Sequence, residues 1–286
     1  MPLQNSEQAG ESSSLKQTIE YLRYRKDKIL SDVFNIAAEY KQLRKAKPAL
    51  QREAPQGDGH PVLVIPAFTA NDWLNAPLRH ILSKKGYKTY GWKGGINLGL
   101  KEKKSQHLRK RLKEIYEMNG NQKVTIIGHS LGGFYARALA QEFPDMVRDV
   151  ITIATPFGIG MKKDGPPPTV LTVIEKLSDA KYSMKNKGVP ERMLTPPSAP
   201  TTSIFSKQDI GDWKLCLNPN TPLSENIEIE ATHLGSILSK ETVAIILDRL
   251  AQPDGHWKRS AKASKIRQPA NPRWTAPKSS NSWRFF

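Results

Sequence analysis

Between Pro61 and Ala231 short apolar runs alternate with longer amphipathic stretches. VLVI (Val62 to Ile65), KTYGW (Lys88 to Trp92), VTII (Val124 to Ile127), VITI (Val150 to Ile153), TSIFS (Thr202 to Ser206) and NIEIEA (Asn226 to Ala231) read as short strands. Helices are predicted over Trp73 to Lys84, Glu102 to Met118 and Leu131 to about Phe143. The second of these puts Leu108, Leu112 and Ile115 on one face before Gly120 ends it. Ser239 is placed to cap a last helix whose Val243, Ile246, Leu247 and Leu250 share a face. Strands alternating with helices need crossover connections, which predicts an α/β protein with a mainly parallel sheet covered by helices on both faces.

Two segments flank or interrupt this alternation. Leu15, Ile19, Leu22, Ile29, Val33, Ile36, Tyr40 and Leu43 recur in steps of three and four, with Lys26 filling a missing place and Pro48 closing the run. This predicts an N-terminal amphipathic helix, docked on its own body, self-associating or lying on a lipid surface. From Thr155 to Thr202 prolines break the pattern, except for a helix near Val170 to Ala180, and the segment reads as an inserted cap. The organisation is therefore 1–56 for a disordered start and the amphipathic helix, 57–257 for an α/β domain with a cap at about 155–202, and 258–286 for a basic, aromatic, disordered tail.

Composition narrows the classes. The start has no apolar signal-like region and no run reaches the roughly eighteen apolar residues of a membrane span, so the chain reads as cytoplasmic, with a place at a membrane periphery open. Cys216 is the only cysteine, which excludes an internal disulfide and a multi-cysteine metal site. Net charge is +17, crowded between Lys84 and Lys113 and again after Trp257, so anionic lipid and nucleic acid are both candidate partners.

Candidate chemistry lies in Gly128-His129-Ser130-Leu131-Gly132, a G-x-S-x-G stretch directly after the strand VTII and directly before a helix. A serine there takes an unfavourable backbone conformation that projects its hydroxyl, and the glycines let strand and helix approach. Leu131 opens the helix, so its N–H is free to receive developing negative charge. A phosphate-binding loop fails, because Phe134 and Tyr135 stand where its lysine and hydroxyl belong. No dinucleotide fingerprint follows a strand and the six histidines form no H-E-x-x-H, so neither a cofactor nor a metal is called for.

A serine nucleophile requires a histidine base and an orienting carboxylate, in the order Ser, acid, His. Asp209 follows the strand TSIFS and His233 follows NIEIEA, both at the carboxyl edge of the sheet with Ser130. Asp212 in the same loop competes as the acid. His60, His80, His107, His129 and His256 read as structural or solvated.

Over about Gly57 to Trp257 the chain resembles α/β-hydrolases of the bacterial lipase/esterase-like kind. The stretches that carry the likeness are GDGHPVLVIPAF, GYKTYGWKGGINLG with Asn97, GHSLGGFYARALA, SIFSKQDIGDWKLC, and the ATH before LGSIL. The resemblance implies the α/β-hydrolase fold, Ser130 as nucleophile, Asp209 as orienting acid, His233 as base, and an oxyanion hole of the Phe68 and Leu131 backbone N–H groups. Two departures stand out. Pro66-Ala67-Phe68 replaces the usual P-G-F, which strains Ala67 if that position needs φ > 0. Leu234 replaces the second cysteine that would pair with Cys216, leaving Cys216 as a small packed residue.

The expected activity is hydrolysis of an acyl ester, small-molecule or lipid, through an acyl-enzyme on Ser130. The alternatives are an acyltransferase using the same acyl-enzyme, or a protein binding anionic lipid or nucleic acid on a hydrolase body. Apolar cap residues (Phe157, Ile159, Met161, Val170, Leu171, Ile174, Leu177, Met184) either line an acyl pocket or pack a helix onto the body.

Overall fold

The structure, a computed structural model, describes residues 32, 34–158, 174, 176–182 and 191–263. Six strands form one sheet: β1 (Pro61–Ile65), β2 (Lys88–Gly91), β3 (Val124–His129), β4 (Val147–Ile153), β5 (Thr201–Ser206) and β6 (Ser224–Ile229). They pair in the order β2-β1-β3-β4-β5-β6, and every pairing is parallel. The order reverses between β1 and β3, which opens a crevice beyond their carboxyl ends.

Helices cover both faces. The sequence around them forms α1 (residues 34–53), α2 (Ala76–Lys84), α3 (Glu102–Met118), α4 (Leu131–Glu142), the single turn α5 (Glu191–Leu194) and α6 (Lys240–Leu250). Alternation along β1 divides the core. Leu63 and Ile65 pack with Leu108, Leu112, Phe134 and Leu139 of α3 and α4, whereas Val62 and Val64 pack with Leu78 and Leu82 of α2, Val243 and Ile246 of α6, and Leu43 of α1. All five residues of β1 are buried, so an apolar run without polar gaps is what its place demands.

Several boundaries move from the sequence expectation for physical reasons. Pro48 does not close α1, which runs on to residue 53. Pro48 and Arg44 lie on the exposed face, where water can serve the carbonyl that proline leaves unpaired. The last turn is held from outside: Lys85 Nζ donates to the carbonyls of Gln51 (3.0 Å) and Ala54 (2.5 Å), and Leu50 and Ala54 pack against the core. Helix α2 begins at Ala76, with proline in its first turn, rather than at Trp73, whose N–H binds Asn71 Oδ1 in a tight turn. The predicted helix positions before Asp32, most of the Thr155 to Thr202 segment and the tail from 264 lie outside the described residues.

Where the proline-rich segment returns, Arg137 of α4 anchors it. This fully buried guanidinium donates to the carbonyls of Met193 (3.2 Å) and Leu194 (2.8 Å) and to Asn218 Oδ1 (3.0 Å), and lies 3.8 Å over the Phe157 ring. Phe157 and Ile174 are core residues, which favours packing over pocket lining for these two. Among the described residues no helix is long and apolar enough to cross a membrane.

Candidate active site

Strand β3 ends at His129 and α4 begins at Leu131, so Ser130 carries the whole reversal, with φ 49° and ψ −115°. A non-glycine residue in that region is costly and persists only where its surroundings enforce it. Here Ser130 N–H donates to Ile153 O at 2.8 Å, and Gly133 N–H donates to Ser130 O at 3.0 Å. The glycines are required by contact. A Cβ on Gly128 would lie 2.5 Å from Gly133 Cα, and one on Gly132 would strike the carbonyls of Ile65 and Pro66. Helix α4 thus begins directly against the segment that carries Phe68. Among the described residues neither the Phe68 nor the Leu131 N–H has a hydrogen-bond partner.

The structure brings the three predicted side chains together. His233 Nε2 lies 2.9 Å from Ser130 Oγ, and His233 Nδ1 lies 2.9 Å from both carboxylate oxygens of Asp209. Asp209 Oδ1 also accepts from Gly211 N–H at 2.9 Å. Asp209 is 5% exposed, and burial alone would raise its pKa. The charge of His233 and the hydrogen bonds from His233 and Gly211 outweigh burial and hold the carboxyl below its ordinary value. An ionised Asp209 fixes a proton on Nδ1, which leaves Nε2 to accept from the serine hydroxyl. The competing Asp212 faces its own turn, accepting from Lys214 N–H at 3.0 Å.

Of the remaining histidines, His80 and His256 are exposed, His107 Nε2 contacts Trp92 O at 2.7 Å, and His60 is buried below the sheet. His129 does more than the sequence reading assigned to it. Its Nε2 donates to the carbonyl of His233 at 3.0 Å and lies 3.2 Å from Ser236 Oγ, so the residue before Ser130 supports the loop that carries His233. Burial, then the charge of His233, lowers its pKa to about 4, so it remains neutral beside Ser130 and His233. Asn97 was visible only through the family likeness; its Nδ2 donates to Pro66 O at 2.8 Å and so pins the Phe68 segment. Cys216 is buried, and burial raises its thiol pKa well above the ordinary value.

Comparison with known proteins agrees with the topology. Residues 96–210 match the family model of the alpha/beta hydrolase fold. Together with the all-parallel six-stranded sheet and the serine turn, this match gives the chain the α/β-hydrolase fold. No curated protein matches it. Similar solved structures include one from the metagenome-derived lipolytic enzymes LipS and LipT, with 16% identity, TM-score 0.46, and 68% of this chain and 93% of that one covered. The lipase BlEst2 of Bacillus licheniformis in propeptide form has 15% identity, TM-score 0.48, and coverage of 73% and 54%. A thioesterase domain from the curacin biosynthetic pathway has 13% identity, TM-score 0.42, and coverage of 70% and 92%.

Proposed function

We propose that the protein hydrolyses carboxylic esters through an acyl-enzyme on Ser130. The reading rests on one observation: a serine at φ 49° whose Oγ is 2.9 Å from an imidazole that is itself 2.9 Å from a buried carboxylate. In the first step His233 Nε2 takes the Oγ proton as Oγ bonds to the ester carbonyl carbon. The carbonyl oxygen becomes an oxyanion that receives the Phe68 and Leu131 N–H groups, and the start of α4 adds a favourable dipole. Collapse of the tetrahedral species breaks the bond to the alcohol oxygen, which takes the proton from His233. Water then repeats the sequence against the acyl-serine, its proton passing through His233 back to Ser130, and releases the acid.

An apolar acyl group is favoured by the rim. Trp73, Ile96 and Leu98, in the loops after β1 and β2, are 82%, 52% and 44% exposed, and they share the sheet edge of Ser130. Lys93 lies in the same loop as Ile96, so a substrate presented at an anionic lipid surface fits this edge better than a nucleic acid does. Ser130→Ala tests the reaction itself. It should abolish turnover of a short-chain ester and covalent labelling by a fluorophosphonate while leaving thermal unfolding unchanged. Undiminished turnover in the folded variant rejects the mechanism.

A further inference from the structure

The imidazole of His233 is only as well placed as the peptide that follows it. That peptide unit is held at both of its polar ends. Its carbonyl oxygen, on His233, accepts from His129 Nε2 at 3.0 Å and from Ser236 Oγ at 2.7 Å. Its N–H, on Leu234, donates to both carboxylate oxygens of Asp32, each at 3.1 Å. Asp32 belongs to the helical N-terminal segment, 202 residues away in sequence, and is 1% exposed. The contact does not stand alone. A Cβ on Gly235 would come within 2.9 Å of Glu39 Cγ, and Leu43 shares its core cluster with Ile237 and Leu238. The N-terminal helix therefore runs along the segment that carries the base.

We propose that Asp32 is a positioning residue for His233, so that the N-terminal helix completes the active site. This rests on the Ser130–His233–Asp209 reading. With the His233 carbonyl fixed from the elbow side and the Leu234 N–H fixed from the helix side, the peptide plane cannot rotate about its Cα–Cα axis. The Cα–Cβ direction of His233 then aims the ring between Ser130 and Asp209. Without the acceptor at Asp32 the plane is held from one side only, and the ring samples positions in which Nε2 misses Oγ. Displacement of a catalytic group by about 1 Å lowers rates by as much as about a hundredfold, so the contact matters to the reaction and not only to packing.

The experiment compares two variants of the full chain. Asp32→Asn keeps an acceptor oxygen for the Leu234 N–H, whereas Asp32→Leu keeps the branched heavy-atom skeleton, with larger methyl groups, and removes the acceptor. Kinetics on a short-chain ester, and the rate of Ser130 labelling by a fluorophosphonate, are measured well below each unfolding temperature. Asp32→Leu should lower kcat and the labelling rate by about tenfold or more with KM within about twofold, and Asp32→Asn should recover most of the loss. A folded Asp32→Leu with the kcat of the unmutated chain, or an Asp32→Asn as slow as Asp32→Leu, overturns the inference. If Asp32→Leu does not fold, amide exchange in the unmutated chain decides: the Leu234 proton must be protected, and free exchange overturns the inference. A chain that never labels at Ser130 rejects the hydrolase reading and this inference with it. A chain that labels normally while the Asp32 variants change nothing rejects the inference alone.

Discussion

The two edges of the sheet each carry a hydroxyl, an imidazole and a carboxylate in a row. At the carboxyl edge the row is Ser130, His233 and Asp209. At the amino edge it is Thr125, 3.1 Å from His60 Nε2, with His60 Nδ1 on Asp58 Oδ1. The connectivity is the same, and the surroundings are opposite. Thr125 sits in extended strand paired with Val62, whereas Ser130 sits at positive φ with a helix starting beyond it. Thr125 and His60 are fully buried, whereas Ser130 and the His233 side chain are 8% and 14% exposed. The Thr125 hydroxyl proton is given to Asp149 at 2.8 Å, and Asp58 is shared with Arg148 at 2.7 Å. A hydrogen-bonded row is thus a common way to satisfy buried polar groups. The proposed chemistry at Ser130 requires more: a hydroxyl that can be reached, a proton available to His233, and N–H groups placed for an oxyanion.

The largest effects should come from removing the two imidazoles. His233→Ala should lower kcat by about 10⁴-fold or more, because the whole catalytic unit depends on its base. His60→Ala should leave kcat within about threefold and instead cost about 1–3 kcal/mol of stability, since Thr125 and Asp58 lose a buried partner. Parallel kinetics and urea unfolding of both variants separate the cases. A His60→Ala protein that is stable but inactive would break the comparison.

A smaller effect distinguishes the edges by pH. His129 beside Ser130 has its pKa lowered from 6.5 to about 4 by burial and then by the charge of His233. Below pH 6.5 the unfolded imidazole binds a proton that the folded one refuses until about pH 4, so stability falls as pH falls across that interval. Between pH 7 and pH 4.5 this group should remove about 2–3 kcal/mol. His60, lowered by burial and then by Arg148, acts in the same direction. Asp58 acts elsewhere: although burial raises it, hydrogen bonds from His60 and Arg148 hold it at about 2, so its contribution is lost only as pH falls from 3.8 toward 2. Urea midpoints at pH 7 and 4.5 for the unmutated chain, His129→Gln and His60→Gln apportion the slope. An unchanged slope in His129→Gln would mean that the elbow histidine is not held neutral.

The same contrast explains what the sequence could convey. Strands such as VLVI were legible because parallel strands covered on both faces need near-continuous apolar runs. Their starts were missed where polar residues enter the core with partners distant in sequence: β6 begins at Ser224, one residue before the fully buried Glu225, which pairs with Arg249. Ser130 could be read because its constraints are local, two glycines and a strand-to-helix change within a few residues. Asp209 and Asp212 could not be separated by order along the chain, since the choice depends on which carboxylate faces His233 in space. The supports of His233 were hidden for the same reason. Asp32 meets Leu234 only after the sheet has formed, and no pattern near either residue announces the other.

The smallest expected effect concerns the loop that carries Phe68. From the departure Pro66-Ala67-Phe68 the expectation was strain at Ala67 if its φ is positive, and relief on substitution by glycine. The left-handed residue of this loop is instead Thr69, at φ 61°, and Ala67 is 1% exposed. Asn97 fastens the loop on either side of that turn, through Nδ2 to Pro66 O, through its carbonyl to Thr69 N–H at 2.7 Å, and through its N–H to Ala70 O at 2.9 Å. Ala67→Gly therefore relieves nothing and frees the unfolded chain, which should cost about 0.5–1 kcal/mol. With the loop still fastened by Asn97, the Phe68 N–H should keep its direction and kcat should stay within about twofold. Thermal unfolding and ester kinetics of Ala67→Gly read the two quantities separately. A variant both faster and more stable would mean that Ala67 holds the Phe68 N–H away from its best line, and would restore the strain that the loop geometry denies.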